Sequence, residues 1–473
     1  MTVRLANFIA ATALTPGDVF YITQGGVEKQ LPASILADSI SLPLTAPTGS
    51  SLVGFQQSGT GAVARTVQDK AQESVSVKDY GADPTGATDC ASAFLAAVTY
   101  CKTLVAPKLI IPAGNYTSST VLNFDLPNYS IIEFQGTITC STSGVKIGSS
   151  TGNTFGLTVS GLKVARTAND TSSGSIGVQI RSLVNCYIDV RSCTGFQDGV
   201  YCLGTSANGG FSYNEIHLGN IQDNRNNVHL AASGAGYCNE NNFYGGNYNH
   251  SSGYSAVSTN NILIDYFAAS QLNDNRFFAP SLEDNSALAV AANISGNNNL
   301  IFWPRMENPG NQTGYQIVFT ANSSQCQVIG GGFTLVPSNI SDLGSQNSYE
   351  TQQGRVYQAQ ATVAAGRAVQ ILRGTFSDSA KALLIQNTAG ADKLWVNGDG
   401  TIISATNGYF ETGIRFSTSS GTFQDYGMFV GTGSPETVVT AGMGSLYLNK
   451  SGGAGTTLYV KQSGSGNTGW IGK

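Results

Sequence analysis

Charge is what this chain has least of. Only 11% of its 473 residues are Asp, Glu, Lys or Arg, well under the usual quarter. No Lys occurs between Lys163 and Lys381, no basic run appears, and the formal net charge is -5. A nucleic-acid partner is therefore not expected, because phosphate binding needs clustered Lys and Arg. No apolar run approaches the roughly 20 residues of a membrane span, so no membrane insertion is expected either. The first residues, MTVRLANFIAATALTPGD, lack a basic stretch followed by a sustained apolar core and do not read as a secretory signal. Eight cysteines, Cys90, Cys101, Cys140, Cys186, Cys193, Cys202, Cys238 and Cys326, form no CxxC pair and have no His at metal-site spacing. That argues against zinc and for free core thiols in a chain folded in a reducing cytosol, wherever it ends up. No metal and no cofactor is implied.

Gly, Ser, Thr and Asn take the place of charge, a composition that suits many short strands and turns. Residues 1–74 look separate, with strand candidates VFYITQ, KQLPA and SLVGFQQ and a connector, ARTVQDKAQESVSV. From Asp79 the texture changes. Asp89 or Thr88 can cap a helix whose apolar positions are Ala93, Phe94, Ala97, Val98 and Cys101, and KLIIPAGNYT then reads as strand and turn. After that, helical spacing nearly vanishes.

A repeat replaces it. The segments NEIHLGNIQD from Asn214, NNFYGGNYNH from Asn241, NRFFAPSLED from Asn275 and NLIFWPRMEN from Asn299 align on Asn, an apolar pair and a small residue. CQVIGGGFTL from Cys326 follows, and NCYIDVRSCT from Asn185 precedes more loosely. A spacing of about 24 to 34 residues marks stacked units, each too short for a helix pair. The expected fold is all-β: a right-handed parallel β-helix over residues 75–350, its first coil covered by the Ala93–Cys101 helix, which shields an open end. The repeated Asn is expected to form a structural ladder of stacked amides. Residues 351–473, with GDG, SGG and SGSG turns, read as a β-rich end domain that would gain burial by intertwining with copies of itself.

VKDYGADPTGATDCASAFLAAV followed by KLIIPAGNYT resembles the opening of the pectate-lyase-like β-helix superfamily. Within it the arrangement is similar to bacteriophage tailspikes, and VVTAGMGSLYLNKSGGAGTTLYVKQSGSGNTGWIGK is similar to the ends of phage tail fibres and spikes. The resemblance implies a homotrimer on the virion, made in the host cytoplasm. Residues 1–74 would attach it to the phage tail or baseplate, and residues 351–473 would serve trimerisation or carbohydrate binding. It implies binding, and usually cleavage, of a bacterial surface polysaccharide, capsule or lipopolysaccharide O-antigen. The family has no single catalytic signature, so it assigns no catalytic residue.

Candidates come from the repeat itself. In PSLED and PRMEN, Leu282 aligns with Met306 and Glu283 with Glu307. Alternation sends the first pair inward and the second outward, on adjacent coils about 5 Å apart at the backbone. Two like charges so placed favour one proton donor beside one anion, the combination glycoside hydrolysis needs. Asp223, His250, Asp284 and Asn308 hold the next column, so Asp284 with Glu307 is a second, diagonal pair. The alternative is that these are solvated turn carboxylates. Arg305 points the same way as Glu307 and is expected to pair with Glu307 or Glu283, or to meet a substrate carboxylate. Trp303 shares that outward parity and is a candidate for stacking on a sugar or for a chain–chain contact. Tyr244, Tyr248 and Tyr254 cluster with His250 as a candidate sugar wall, with packing inside the stack as the alternative, and Arg276 completes the substrate-binding set. A lyase must neutralise a uronate and abstract a proton, and in the candidate coils only Arg225, Arg276 and Arg305, with His or Tyr, could serve. Carboxylates there are more numerous (Glu215, Asp223, Glu240, Asp265, Asp274, Glu283, Asp284 and Glu307), so hydrolysis is preferred to elimination. A non-catalytic receptor-binding spike on the same fold, or a purely structural tail component, would need no carboxylate pair.

Overall fold

The computed structural model describes residues 15, 17–149, 151–170, 174–205, 209–250, 258–265, 271–284, 289–307, 316–331, 340–351, 354–357, 370–372, 381–386, 392–397, 402–404, 414–416 and 426–473. Its centre is a parallel stack. One long sheet carries both arms of each coil's outer strand pair, and a second sheet stacks nine strands from Leu122–Phe124 to Ile340–Asp342. A short third sheet of four strands fills one corner. Each coil runs from the first sheet through a bend to its second arm, on to the second sheet, and back. Parallel neighbours joined this way make a right-handed β-helix.

Alternation along each strand builds the interior. Ile188, Ile216, Phe243, Phe277, Ile301 and Val328 form one inward column, partner to partner on successive coils. Phe243 and Phe277 stack face to face at 4.4 Å. Across the core, Val178, Val200, Val228, Ile262 and Ala292 form another column on the second sheet. Nearly all of these are fully enclosed. All eight cysteines are buried and unpaired, as small hydrophobes would be.

The helix Ala91–Cys101 covers the first coil, burying Ala93, Phe94, Ala97, Val98 and Cys101, the positions its spacing predicts. Phe94 meets Tyr116 and Phe124 edge to face at 5.7 and 6.0 Å. Cys90 is its N-cap, and Asp89 accepts from the Ala91 N–H at 2.9 Å.

One corner of the coil repeats strictly. Asn214, Asn241, Asn275 and Asn299 are buried, and the Nδ2 of each of the first three donates to the next Oδ1 at 2.9, 2.9 and 3.1 Å. The expected amide ladder is present. Each step also donates to a backbone carbonyl, of Leu183, Phe211, Cys238 and Leu272 in turn. The residue before each rung is left-handed: Tyr213, Glu240, Asp274 and Asn298 all have φ between 56 and 58°. The earlier coil is one residue out of the alignment read from sequence. Cys186, not Asn185, holds the ladder position, its N–H donating to Asn214 at 3.0 Å, while Asn185 takes the left-handed corner.

Near the start, Val19–Gln24 and Val27–Pro32 pair as a hairpin. Its two turn residues, Gly25 and Gly26, have φ of 64 and 80°, the geometry of a two-residue hairpin turn. The helix Ala33–Thr45 follows, where sequence reading saw only short strands. The connector holds a second short helix, Val67–Ala71, closed by a Thr66–Asp69 capping box. At the other end, a small sheet packs Phe429, Ala441, Tyr447, Tyr459 and Trp470 together. No helix among the described residues is long and apolar enough to cross a membrane.

Candidate functional site

The strands Ser281–Asp284 and Arg305–Glu307 pair in parallel with Leu282 opposite Met306 and Glu283 opposite Glu307. Leu282 and Met306 are 2% and 5% exposed, so the predicted register and facing are both present. Glu283 and Glu307 project outward from adjacent coils with Arg305 between them. The guanidinium bonds Glu283 through Nη1 and Glu307 through Nη2. It also donates to Ser281 Oγ at 3.1 Å, and that hydroxyl donates to Glu283 at 2.9 Å. The unscreened repulsion expected between the carboxylates is thus offset by a shared cation. Acid–base work would need Arg305 to turn away, for example onto an anionic ligand group. Asp284 sits opposite His250 of the preceding coil; its side chain, like Asn308 and Tyr254, lies outside the described residues.

Two of the proposed sugar contacts face inward. Tyr248 continues the buried column Cys193, Ile221, Tyr248, Leu282, Met306. It is fully enclosed, with its hydroxyl on the Gly245 carbonyl at 3.0 Å and its phenol pushed up by burial. His250, two residues on, shares that face and is 0% exposed. Neither can touch a polymer lying on the outside, which corrects their assignment as substrate contacts. Trp303 is outside, with the same parity as Arg305 and Glu307. It occupies the bend between Leu300–Phe302 and Arg305–Glu307 with φ of 56°, which resets the alternation. Its ring lies over Gly330, where an added Cβ would sit 2.5 Å from it.

Tyr244 does face outward, and it belongs to a larger feature. His217, Tyr244, Phe278 and Phe302 occupy one column of the first arm on four successive coils. Tyr187 joins diagonally at one end and Trp303 beside Phe302 at the other. Neighbouring centroids are 5.1, 5.0, 5.2, 6.4 and 6.1 Å apart along the series. The result is a ridge of six rings parallel to the solenoid axis. Tyr187, Phe302 and Trp303 are 38%, 41% and 59% exposed, and the middle rings are half-buried. Arg276 flanks it, opposite Asn242 and two residues before Phe278. Sequence reading found Tyr244, Trp303 and Arg276 but missed Tyr187, His217, Phe278 and Phe302. The signal was there: counted from the ladder Asn, the third position on is His217, Tyr244, Phe278 and Phe302 in consecutive repeats.

The stacked rings cover one another's faces and leave their edges free, Trp303 at the end is exposed, and the flanking Arg and Glu groups offer hydrogen bonds. The ridge on the first arm and the Glu283–Arg305–Glu307 cluster on the second are separated only by the bend at Ala279 and Trp303, both left-handed.

Among solved structures the chain is similar to one described as Geobacillus virus E2 ORF18. Identity is 12%, TM-score 0.47, and 94% of this chain and 91% of that one are covered. It is also similar to the tailspike protein of E. coli bacteriophage HK620 in complex with a pentasaccharide. There the identity is 12% and the TM-score 0.29, over 78% of this chain and 98% of that one. No curated protein matches the chain. Residues 74–279 match the family model described as rhamnogalacturonase A/epimerase, pectate lyase-like, and this segment of the solenoid is accordingly a pectate-lyase-like β-helix.

Proposed function

We propose that this chain is the receptor-binding tailspike of a bacteriophage, which holds a bacterial surface polysaccharide, capsule or O-antigen, along its aromatic ridge. The ridge carries the reading. Six rings in line on the outside of a rigid stack match an extended polymer better than a compact ligand, and a binding surface built on strands keeps its geometry. The sequence resemblance at the opening motif and the pectate-lyase-like segment support it. In this reading the protein is a virion homotrimer, with residues 1–74 on the tail and residues 351–473 holding the three chains together.

Endo-acting hydrolysis of the bound chain is assigned to Glu283, Asp284 and Glu307, as acid and as base or nucleophile. Tyr244, Trp303 and Arg276 contact sugars, and Arg305 is released onto the substrate. A second reading, binding without cleavage, is favoured by the ion pairs that hold Glu283 and Glu307 on Arg305. The test is incubation with capsule or lipopolysaccharide from a susceptible host. Shortened oligosaccharides that disappear in Glu283→Gln and Glu307→Gln support hydrolysis at this pair. Retention without new chain ends supports the binder, and no retention at all sinks the polysaccharide reading.

A further inference from the structure

The small sheet near the C-terminus buries a lysine and exposes its leucines. Its strands Tyr426–Gly431, Leu446–Asn449, Leu458–Lys461 and Trp470–Gly472 pair side by side. On one side Phe429, Tyr447, Tyr459 and Trp470 close a small core, with ring edges against ring faces at 6.1 to 6.2 Å. The polar positions of these strands share that side. Asn449 donates to the Thr456 carbonyl at 3.0 Å. Lys461, 1% exposed, donates to the Gly466 carbonyl at 2.8 Å and to the Thr468 carbonyl. Lys is almost never enclosed without partners, so this is the sealed side. Alternation puts a different set on the other side. Met428 lies opposite Leu446 and Val430 opposite Leu448. Leu446 lies opposite Val460, Leu448 opposite Leu458, and Val460 opposite Ile471. Met428, Leu448 and Ile471 are 42%, 40% and 46% exposed, and the other four are half-buried. A sheet with one face in water alternates apolar with polar. This one is apolar on both faces, the pattern of a sheet covered on both.

We infer that this aliphatic face closes against the same face of other copies of the chain, and that the end sheet completes its burial only on association. This rests on the homotrimer of the proposed function. It assigns the contact to one surface and decides between assembly and carbohydrate binding for this sheet. A glycan surface needs donors and acceptors to orient hydroxyls, and the side chains of Met428, Val430, Leu446, Leu448, Leu458, Val460 and Ile471 bring no N–H or O–H. They select a flat, uncharged, apolar partner. The need also dates from folding. The sealed side holds only Phe429, Ala441, Tyr447, Tyr459 and Trp470 as its buried cluster, and so small a core is rarely stable without further burial from association. The cover must be on hand where the chain is made, as a second copy is and a host ligand is not. Burying an aliphatic side chain removes roughly 60–120 Å² from water, so the face, already half-covered in part, offers about 400–600 Å². A standard two-body interface takes ~800 Å² from each side, so the contact between copies continues along the chain beyond this sheet.

The test uses the full chain, weighed by light scattering over a dilution series, with engineered thiols trapped by mild oxidation. Leu448→Cys puts a thiol on the face between Val430 and Leu458. Val438→Cys, at a position 73% exposed, puts one off it. The eight native thiols are buried and stay silent. A three-chain mass for the wild type is expected, with disulfide-linked pairs of chains from Leu448→Cys on a non-reducing gel and few from Val438→Cys. Leu448→Glu places a charge in every copy of the face and is expected to raise the concentration at which the chains separate about a hundredfold. If that variant does not fold, Leu448→Cys still decides. A trimeric wild type with no linked pairs from Leu448→Cys, or with equal linking from both cysteine variants, overturns this face and leaves the homotrimer standing. Glycan retention lost in Leu448→Glu at unchanged trimer mass overturns it in favour of a carbohydrate surface. A single-chain mass for the wild type at every concentration overturns the homotrimer and this inference together.

Discussion

The asparagine ladder and the aromatic ridge are built by the same rule and leave opposite amounts of bonding capacity free. Each is a column with one similar side chain per coil, and in each the rise of the stack brings neighbours into contact. In the ladder the amides bond one another and backbone carbonyls inside a closed corner. Nothing there is left for a ligand, and a missing rung strands several buried groups at once. In the ridge the rings touch one another at about 5 Å and keep a free outer side. A solenoid puts like beside like wherever the repeat is regular. Stability and recognition are told apart by whether the column's remaining bonding capacity is already used.

The sharpest way to break this contrast is Asn275→Ala. It removes the acceptor of Asn241 and the donor to Cys238 and Asn299 in a sealed site. A loss of about 3–5 kcal/mol in chemical denaturation is expected. Leu282→Ala, which empties an inward position, should cost about 3 kcal/mol, and a cost under 1 kcal/mol would show that the core there is not packed as described.

Next in size is a pH effect on the second sheet. Burial opposes charge on His229, but Asp198 at 3.0 Å and Asp265 at 3.8 Å outweigh it and push the imidazole up from 6.5 to about 9. A folded-state value above the unfolded one stabilises the protein fully below pH 6.5, and that contribution is lost as pH rises through about 9. The denaturation midpoint of the wild type should fall across this window, and that fall should vanish in His229→Gln.

Smaller in stability, but decisive for the comparison, is Phe278→Ser in the middle of the ridge. A stability change under about 1 kcal/mol with roughly tenfold weaker retention of a bound glycan is expected. A large stability loss with unchanged retention would make the ridge a second ladder. Least of all, Arg305→Gln removes exposed ion pairs and should cost less than about 1 kcal/mol.

Much of this was legible because strict alternation and a repeated Asn fix both register and facing. The Glu283–Glu307 pairing, the inward Leu282 and Met306, and the helix over the first coil all follow from that. The errors came from not carrying the rule through. Tyr248 aligns with Leu282, so the logic that buried one had to bury the other, and His250 with it. Asn185 attracted the alignment because it is an Asn, although the apolar Ile188 beneath Ile216 puts Cys186 in its place. Phe302 escaped because the left-handed Trp303 after it breaks period two, so that both face out, and nothing in local composition announces it. Arg305 reaching both carboxylates depends on side-chain conformation, which alignment alone does not encode. The helix Ala33–Thr45 begins after Pro32 with no side-chain cap, so it sends no start signal.

Successive ladder rungs are 27, 34 and 24 residues apart, yet the strands on either side keep their partners. Differences in loop length are therefore taken up elsewhere: three residues separate Gln222 from Asn226, whereas eight separate His250 from Thr259. The corner works like the spine of a loose-leaf binder, where pages of unequal width can be exchanged without disturbing their neighbours. A lineage under pressure to change what it binds could edit the free margins while the bound edge keeps every sheet in order.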